Sequence, residues 1–458
     1  MAHITVLIIC VAIAAYQHSR VPRLWAFLLL FIALMPKVAL AVVPGNTTPI
    51  RVDDLVIGAV LAVWMARLFT VRLKPDTTEV PSSPATFFLL LYWYAVAVCT
   101  LIGMAALTTA PLTGVLHVGR LIEYGLLYFL FYHSIDPDEL GDFVEVVRTS
   151  LLLVCGIWLV QHWTHSPVDG PVTPWATLYP TFSATYDFGG YLMLSTVLLY
   201  ALWSTGASRS VLTTIALAAG VFVTVSSESR ASLLGLALIV AIDIAVRLRW
   251  WAVVVLGVAA AAAPYLIRSK KMLTLITAVV ALVTSFNADV IRQAFMTDPS
   301  LALRLRNWRF AIDHWLARPF FGDGLGGYLS YTRQYDLPAS PDGWYVRVLA
   351  DTGVVGFVAF VLLIAALLWI LVRGVRSEAR PLRRAIVYGA ALAVVAAAAS
   401  AVLVDTFVSY KIMGVFWTIV ACGTRVAAEP GAAAATGLAS NRSALPAPPA
   451  PPALPALP

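Results

Sequence analysis

One stretch of this sequence combines residue types that could bind and transform an anionic substrate. Residues 304–357 form the only long polar, aromatic-rich interval between strongly apolar segments. Guanidinium groups donate paired hydrogen bonds to phosphate oxygens, and a carboxylate can accept a proton from a hydroxyl. The interval therefore suits an anionic, lipid-linked sugar. The charged residues that frame it, around Trp308, are Arg304, Arg306, Arg309, Asp342 and Asp351.

Other basic residues lie at the ends of apolar segments, where charge is costly and tends to pair or to line a cavity. They are Lys37, Arg51, Arg120, Arg230 and Lys411. If these segments are helices, the basic side chains could converge beneath the 304–357 stretch and bind a diphosphate. Local ion pairs are the alternative. The candidate pairs are Arg51 with Asp53 or Asp54, Arg120 with Glu123, and Arg230 with Glu228.

The composition indicates an all-α, polytopic membrane protein. Of the 458 residues, 60% are hydrophobic and 12% are charged, and the mean hydropathy is +0.85. A soluble protein is nearer half apolar and a quarter charged. We therefore expect a transmembrane bundle of about 12–14 helices with one large extracytoplasmic loop that contains short helices. The cysteines lie inside apolar segments and predict neither a disulfide nor a zinc site.

Apolar runs that could cross the hydrocarbon core are spread along most of the chain. They fall at roughly 1–16, 24–43, 52–70, 85–107, 113–133, 148–163, 186–204, 210–225, 231–246, 250–267, 353–372, 385–404 and 407–425. Every second loop is basic, and those loops are expected to be cytoplasmic. This pattern explains the net charge of +7 without nucleic-acid binding. The alternate loops, which should face outward, are 44–51, 108–118, 164–185, 226–230, 268–352 and 405–410.

These runs predict four regions. The apolar segment 272–286 would place the arginine-rich loop 373–384 outside if it crossed the membrane, so a re-entrant or surface-lying helix is predicted there. The tail is rich in alanine and proline and should be disordered. The regions are transmembrane helices at 1–267, the large extracytoplasmic loop at 268–352, transmembrane helices at 353–426 and the tail at 427–458.

Within the large loop, residues 303–319 (LRLRNWRFAIDHWLARP) predict an amphipathic helix. Arg306, Arg309 and Asp313 would share a polar face. A helix that merely lies on the membrane with a solvated basic face is the alternative to a binding site. The apolar face is expected to consist of Leu305, Trp308, Ile312, Trp315 and Leu316.

Several familiar motifs are absent or out of context. The run Gly322–Gly327 matches G-x-G-x-x-G, but no parallel-sheet pattern precedes it, so a dinucleotide site is not predicted. Its glycines would permit tight turns near the bilayer. The sequence contains no Walker loop and no G-x-S-x-G motif, which leaves ATP-driven transport and serine hydrolysis without support. His162 and His165 are a weak metal-site candidate because no third ligand is near in sequence.

Five segments, in a recognisable order along the chain, support the interpretation of a membrane protein that binds an anionic lipid-linked sugar. The segments are RVDDLVIGAVLAVWMARL (51–68), YPTFSATYDFGGYLMLSTVLL (179–199), VSSESRASLLGLAL (225–238), RLRNWRFAIDHWLARPFFGDGLGG (304–327) and DGWYVRVLADTGVVGF (342–357). Over roughly residues 20–425, the chain resembles the O-antigen ligase and O-antigen polymerase superfamily of integral-membrane glycosyltransferases. The resemblance places Arg230 on the family's functional arginine and Arg304 on the arginine of its R-x-x-x-W pattern. Where ligases carry His-Asn, this chain has Asp342-Gly343. Polymerase-like members often have Asp there, so the departure favours a polymerase or a divergent ligase.

Because arginines can replace a metal ion in neutralising a leaving group, we predict a metal-independent enzyme without cofactors. The resemblance implies its substrates and its location. It would use an undecaprenyl-diphosphate-linked oligosaccharide as donor and a glycan or lipid as acceptor, in contact with membrane lipid and without nucleic acid. Its site would face the periplasm from the inner membrane. Arg230, Arg304 and Asp342 are the expected catalytic residues, with Asp342 as the base for the acceptor hydroxyl. The expected substrate-binding residues are Lys37, Arg51, Arg120, Arg306, Arg309, Trp308, Trp344 and Tyr345.

Three alternatives stay open from the sequence. A ligase would transfer the glycan to lipid A-core or another acceptor, whereas a polymerase would lengthen the chain. A flippase of lipid-linked oligosaccharide would also place charged residues within its helices. A structural or assembly subunit would leave the outer arginines without a role.

Overall fold

The computed structural model describes residues 24–36, 39–41, 50–72, 83, 85–163, 181–182, 184–247, 299–328 and 342–429. Two short strands, β1 (Ala39–Ala41) and β2 (Ile50–Arg51), pair in antiparallel fashion, and short 3-10 turns occupy Pro137–Glu139 and Thr406–Val408. The described residues otherwise form twelve α-helices. They are α1 (Leu24–Leu34), α2 (Val52–Arg72), α3 (Ala85–Ala105), α4 (Pro111–Ser134), α5 (Leu140–Trp163), α6 (Thr185–Thr205), α7 (Val211–Ser226), α8 (Arg230–Arg247), α9 (Pro299–Ala317), α10 (Trp344–Ser377), α11 (Pro381–Ser400) and α12 (Tyr410–Ala428).

This architecture confirms the prediction of an all-α, polytopic membrane protein. Among the described helices, seven, α3–α6 and α10–α12, are long and apolar enough to cross a membrane, while α1 and α7 are apolar but shorter. Helices satisfy their backbone hydrogen bonds internally, which the hydrocarbon core of a bilayer requires. The runs predicted at 1–16 and 250–267, and the surface helix predicted at 272–286, lie outside the described residues.

The short connections make neighbouring helices run in opposite directions, so the bundle has two distinct ends. At one end, which we call the Asp342 end, the Trp344 amide that begins α10 donates to the Ala401 carbonyl that follows α11, at 2.9 Å. The first turns of α6 and α8 also meet there, because a Cβ on Gly189 would lie 2.4 Å from the Ser229 Cβ. The opposite end, the Glu378 end, carries the turn between α10 and α11.

The centre of the bundle is built by α6, α11 and α12. In both α6 and α12, 89% of the membrane-spanning window is buried by the rest of the protein. Small side chains allow these helices to approach closely, as is common in membrane bundles. A Cβ on Gly423 of α12, for example, would lie 2.4 Å from the Ala390 Cβ of α11.

The chain between α9 and α10 docks on a break inside α10. Gly353 has φ 59° and ψ −163°, a conformation that a side chain would strain, and it interrupts the helix. Around this break, the Val354 and Val355 amides donate to the Pro319 and Phe320 carbonyls at 2.8 and 3.1 Å. The predicted boundary between the large loop and the C-terminal helices falls at this break.

Helix α3 clamps the same chain segment from the other side. A Cβ on Gly103 would lie 2.2 Å from the Asp323 carbonyl oxygen, so glycine is needed for this approach. The hydroxyls of Thr108 and Thr109 donate to that carbonyl at 2.7 and 2.6 Å. The glycine-rich run that was expected to form tight turns near the bilayer is therefore held by contacts with α3 and α10.

Charge at the Glu378 end is organised into an ionic network. Arg383 lies 3.0 Å from the Glu378 carboxylate and 2.6 Å from that of Glu429, so it ties the ends of α10, α11 and α12 together. The Arg425 guanidinium lies 5.6 Å from the Tyr132 ring of α4 and extends the network to a fourth helix. This end holds the arginines that the sequence analysis assigned to the cytoplasm.

Candidate functional site

The predicted helix in the large loop is present as α9, but it is buried on a different face. Asn307 and Ala311 are fully buried, whereas Ile312 and Leu316 of the expected apolar face are 40% and 62% exposed. The side of α9 that carries Asn307 and Ala311 instead faces α10 and Tyr328. The apolar stripe is left outward, where it could contact membrane lipid. Arg306 and Arg309 are exposed on the same helix.

Arg304, Trp308 and Asp342 form one contact group at the start of α10. The Arg304 Nε lies 3.6 Å from the Asp342 Oδ2. The Trp308 Nε1 donates to the Asp342 carbonyl oxygen at 3.2 Å and fixes this residue, which has a φ of 53°. Burial raises the pKa of the Asp342 carboxyl above its usual range; the nearby Arg304 opposes this shift and Asp405 adds to it. The carboxylate is held beside a cation while its side chain stays 45% exposed.

Arg230 begins α8 beside this group. It is 7% exposed, and the next residue, Ala231, packs in a small cluster with Trp308, Leu403 and Val404. The first turn of α8 and the Trp308 turn of α9 therefore lie against the same α11–α12 connection. Glu228, the proposed local partner of Arg230, is exposed and has a φ of 54°. Two arginines distant in sequence thus come to the Asp342 end of the bundle.

A second ionic group, which sequence reasoning missed, lies next to the first. The Arg347 Nη1 donates to the Asp405 Oδ2 at 2.6 Å, and its Nε lies 3.5 Å from the Asp351 Oδ2. The amides of Gly326 and Tyr328 donate to the Asp351 carboxylate at 3.3 and 3.1 Å. The i, i+4 spacing of Arg347 and Asp351 could have indicated the local pair. No local pattern indicates Asp405, because it belongs to another connection.

Helix α6 contributes a tyrosine to the same region. The Tyr186 hydroxyl interacts electrostatically with Asp187, Asp405, Asp342 and Arg347. Tyr186 also packs against the cluster of Ala231 and Trp308. This residue therefore lies near both ionic groups, in the segment 179–199 that the sequence analysis had singled out.

The other basic residues that were singled out from the sequence contact carboxylate or carbonyl oxygens where the structure describes them. Arg120 pairs with Asp54 of α2 at 2.8 Å, a partner different from the Glu123 considered from the sequence. The backbone amide of Arg51 donates to the same Asp54 carboxylate at 3.1 Å. Lys411 is fully buried and donates to the Met35 carbonyl at 2.6 Å, so it caps the end of α1. Lys37 lies outside the described residues.

Two aromatic residues of the predicted substrate-binding set make contacts within the protein. Trp344 is 2% exposed and packs against Phe360 and Phe407, with ring centroids 6.1 and 6.0 Å away. The Tyr345 hydroxyl donates to the Ala398 carbonyl at 2.9 Å. Trp344 therefore supports the start of α10 from the core, and Tyr345 joins it to α11. Trp308 is half-buried, as is Tyr345.

Metal-ligand candidates do not come together in the part of the chain that the structure describes. No group of three His, Cys, Asp or Glu side chains is placed there to hold a metal ion. The His162 ring stacks on Trp158 with centroids 5.2 Å apart, and His165 lies outside the described residues.

Comparison with known families adds one finding to this geometry. Residues 214–361 match the family model described as O-antigen ligase. This range runs from α7 into α10 and contains Arg230, Arg304, Asp342 and Arg347. No curated protein matches the sequence.

Proposed function

Taking as premise the membership in the O-antigen ligase superfamily that this match supports, we propose a membrane glycosyltransferase of polymerase type. Its donor is an undecaprenyl-diphosphate-linked oligosaccharide, and its product is a longer surface polysaccharide. The observation that carries the proposal is the meeting of Arg230, Arg304 and Asp342 at one end of a transmembrane bundle. An O-antigen ligase that transfers the glycan to lipid A-core or another acceptor is the second candidate, because the matched family is described by that activity.

The arginines account for donor binding and activation. A diphosphate is an acceptor-only, doubly charged group, and guanidinium groups provide fixed donors for it. Positive charge placed where the leaving group gains charge lowers the barrier to bond cleavage. Arg304 and Arg230 fill this role in the proposal, and exposed Arg306 and Arg309 attract the anionic donor to the surface. Because these cations neutralise the leaving group, the proposed transfer needs no metal ion.

Asp342 accounts for acceptor activation. The acceptor hydroxyl oxygen attacks the anomeric carbon of the donor sugar and forms the new glycosidic bond. The bond from that carbon to the diphosphate oxygen breaks, and its electron pair leaves with the lipid diphosphate. The hydroxyl proton passes to the Asp342 carboxylate, whose pKa burial raises and the neighbouring Arg304 opposes.

The site is proposed to face the periplasm from the inner membrane. The arginine-rich ends of α10 and α11 lie at the Glu378 end, opposite the site, and positive residues favour the cytoplasmic side. The lipid tail of the donor then stays in the bilayer while its diphosphate and sugars reach the Asp342 end.

A deletion strain tests the function. Loss of the gene should remove long-chain surface glycan, and the repeat units should accumulate on the outer leaflet, still linked to the lipid carrier. Complete polymer accumulating on the carrier would identify the ligase instead. Repeat units trapped on the cytoplasmic leaflet would contradict a transferase and support a flippase. Re-expression of the wild-type chain should restore the glycan profile.

A pH profile tests the role of Asp342. The base works in its ionised form, so transfer should rise with pH through the raised pKa of Asp342 and fall below it. Asp342→Asn should reduce transfer by about 10²-fold and abolish this acidic limb. Initial rates in proteoliposomes at a series of pH values measure both effects. An Asn variant with an unchanged rate and profile would remove Asp342 from the mechanism.

A further inference from the structure

Two buried polar side chains near the site lack hydrogen-bond partners. Asn307 is fully buried and Tyr328 is 2% exposed. Among the residues that the structure describes, nothing bonds to the Asn307 amide nitrogen and oxygen or to the Tyr328 hydroxyl. Each such group costs about 1–3 kcal/mol when it is buried without a partner, and such groups are rare in native proteins. Two such groups beside the site indicate that a bound molecule completes their hydrogen bonds.

Both side chains border the same region between α9 and α10. The Tyr328 ring packs against Phe310, with centroids 5.9 Å apart, and clusters with Ala311. Asn307 lies one turn earlier on α9, between that contact and Arg304. The Tyr328 hydroxyl also interacts electrostatically with Asp405 and Asp342. The two unbonded groups therefore lie close to the carboxylate that is proposed to take the acceptor proton.

The chemistry of this region differs from that of a phosphate site. Burial and the neighbouring carboxylates raise the pKa of Tyr328, so its phenol stays protonated and acts as a donor. Asn307 can both donate and accept. The charged groups that act on the Tyr328 hydroxyl are three carboxylates, Asp342, Asp351 and Asp405, and one cation, Arg347, and this excess of negative charge disfavours a diphosphate. Sugar hydroxyls both donate and accept, and they carry no charge.

We propose that Tyr328 and Asn307 form, beside Asp342, the subsite for the neutral sugar of the acceptor. This inference rests on the proposed function. The Tyr328 hydroxyl and the Asn307 amide bind hydroxyls of the acceptor ring, and this contact turns its attacking hydroxyl toward Asp342. The diphosphate of the donor binds on the other side of Asp342, toward Arg304 and Arg230.

Tyr328→Phe tests the subsite because it removes only the unbonded hydroxyl. The variant should keep or raise the melting temperature, since loss of a buried group without a partner removes a penalty. Its KM for the acceptor should rise about tenfold, which is the loss of one good hydrogen bond, while its KM for the lipid-linked donor stays unchanged. Asn307→Leu, of similar size, should show the same pattern.

Tyr128→Phe is the matched control. Tyr128 is fully buried in α4 toward the Glu378 end, and its hydroxyl bonds to Thr424 at 3.0 Å and to Ser83. This variant should lower the melting temperature and leave both KM values unchanged, the reverse of the Tyr328 result. The two variants together separate a structural hydroxyl from one that binds substrate.

The assay uses full-length protein in proteoliposomes with the host lipid-linked oligosaccharide as donor. The acceptor probe is the oligosaccharide released from that donor by mild acid. If the wild type transfers sugar but Tyr328→Phe and Asn307→Leu keep the wild-type acceptor KM, the subsite is refuted and the function stands. A fall in melting temperature without a change in KM refutes it equally. Absence of transfer by the wild type refutes the proposed function, and the subsite with it.

Discussion

Arg304→Ala and Arg230→Ala should each lower glycosyl transfer by about 10²–10³-fold, the usual loss when one preorganised donor to a developing anion is removed. In cells, long-chain surface glycan should disappear in both variants. The reason is the shared position of the two residues. The Trp308 turn of α9 and the Ala231 turn of α8 pack together, so both guanidinium groups belong to one end of the bundle.

Controls must distinguish a loss of transfer activity from a loss of folded protein in the membrane. Arg373→Ala removes an exposed arginine that lies 4.6 Å from the Trp369 ring on the outer part of α10, toward the Glu378 end. It should insert and transfer like the wild type. Membrane quantity measured by immunoblot must match across all variants. Wild-type glycan ladders from both Arg230→Ala and Arg304→Ala would refute the proposed mechanism.

The pH profile of transfer should distinguish the role of Arg304 from that of Arg230. Arg304 opposes the rise in the pKa of Asp342. Its removal should raise that pKa further, so the remaining activity of Arg304→Ala should begin to fall at a higher pH than that of the wild type. Arg304→Lys keeps the positive charge and should restore most of the profile without the full rate. Arg230→Ala should leave the position of the acidic limb unchanged.

The features that the sequence predicted are those set by local pattern. Long apolar runs and the alternation of basic loops predict an all-α membrane bundle, because the bilayer imposes span length and charge placement. The apolar and basic periodicity of residues 303–319 predicts α9. The positions of Arg230 and Arg304 at the same end follow from counting helices between them.

The features that it did not predict depend on contacts between distant segments. Arg120 pairs with Asp54 on another helix, although Glu123 is nearer in sequence. Lys411 caps α1 across most of the chain length. The face of α9 that is buried is the one that packs against Tyr328 and α10, while Ile312 and Leu316 of its apolar stripe are exposed. Hydropathy and spacing carry no information on which helices meet, so these contacts require the fold.

Arg347→Leu should be the most destabilising single change at the site, by about 3–5 kcal/mol, because removal of one member of a buried ionic group leaves charge uncompensated. Arg347 and Asp405 are 8% and 7% exposed, and the Arg347 guanidinium lies between Asp405 and Asp351. The variant should show a lower melting temperature in detergent and less protein in the membrane. Arg373→Leu, at the exposed cation, should change neither.

A second substitution identifies why Arg347→Leu loses stability. Asp351 keeps the amide donors of Gly326 and Tyr328 after Arg347 is gone, whereas Asp405 loses its guanidinium donor at 2.6 Å. The double variant Arg347→Leu/Asp405→Leu should therefore recover much of the melting temperature, since an apolar replacement of a buried pair is often near neutral. If the double variant is as unstable as the single one, the loss arises from packing or from Asp351, and the Asp405 pair does not hold α10 to the α11–α12 connection.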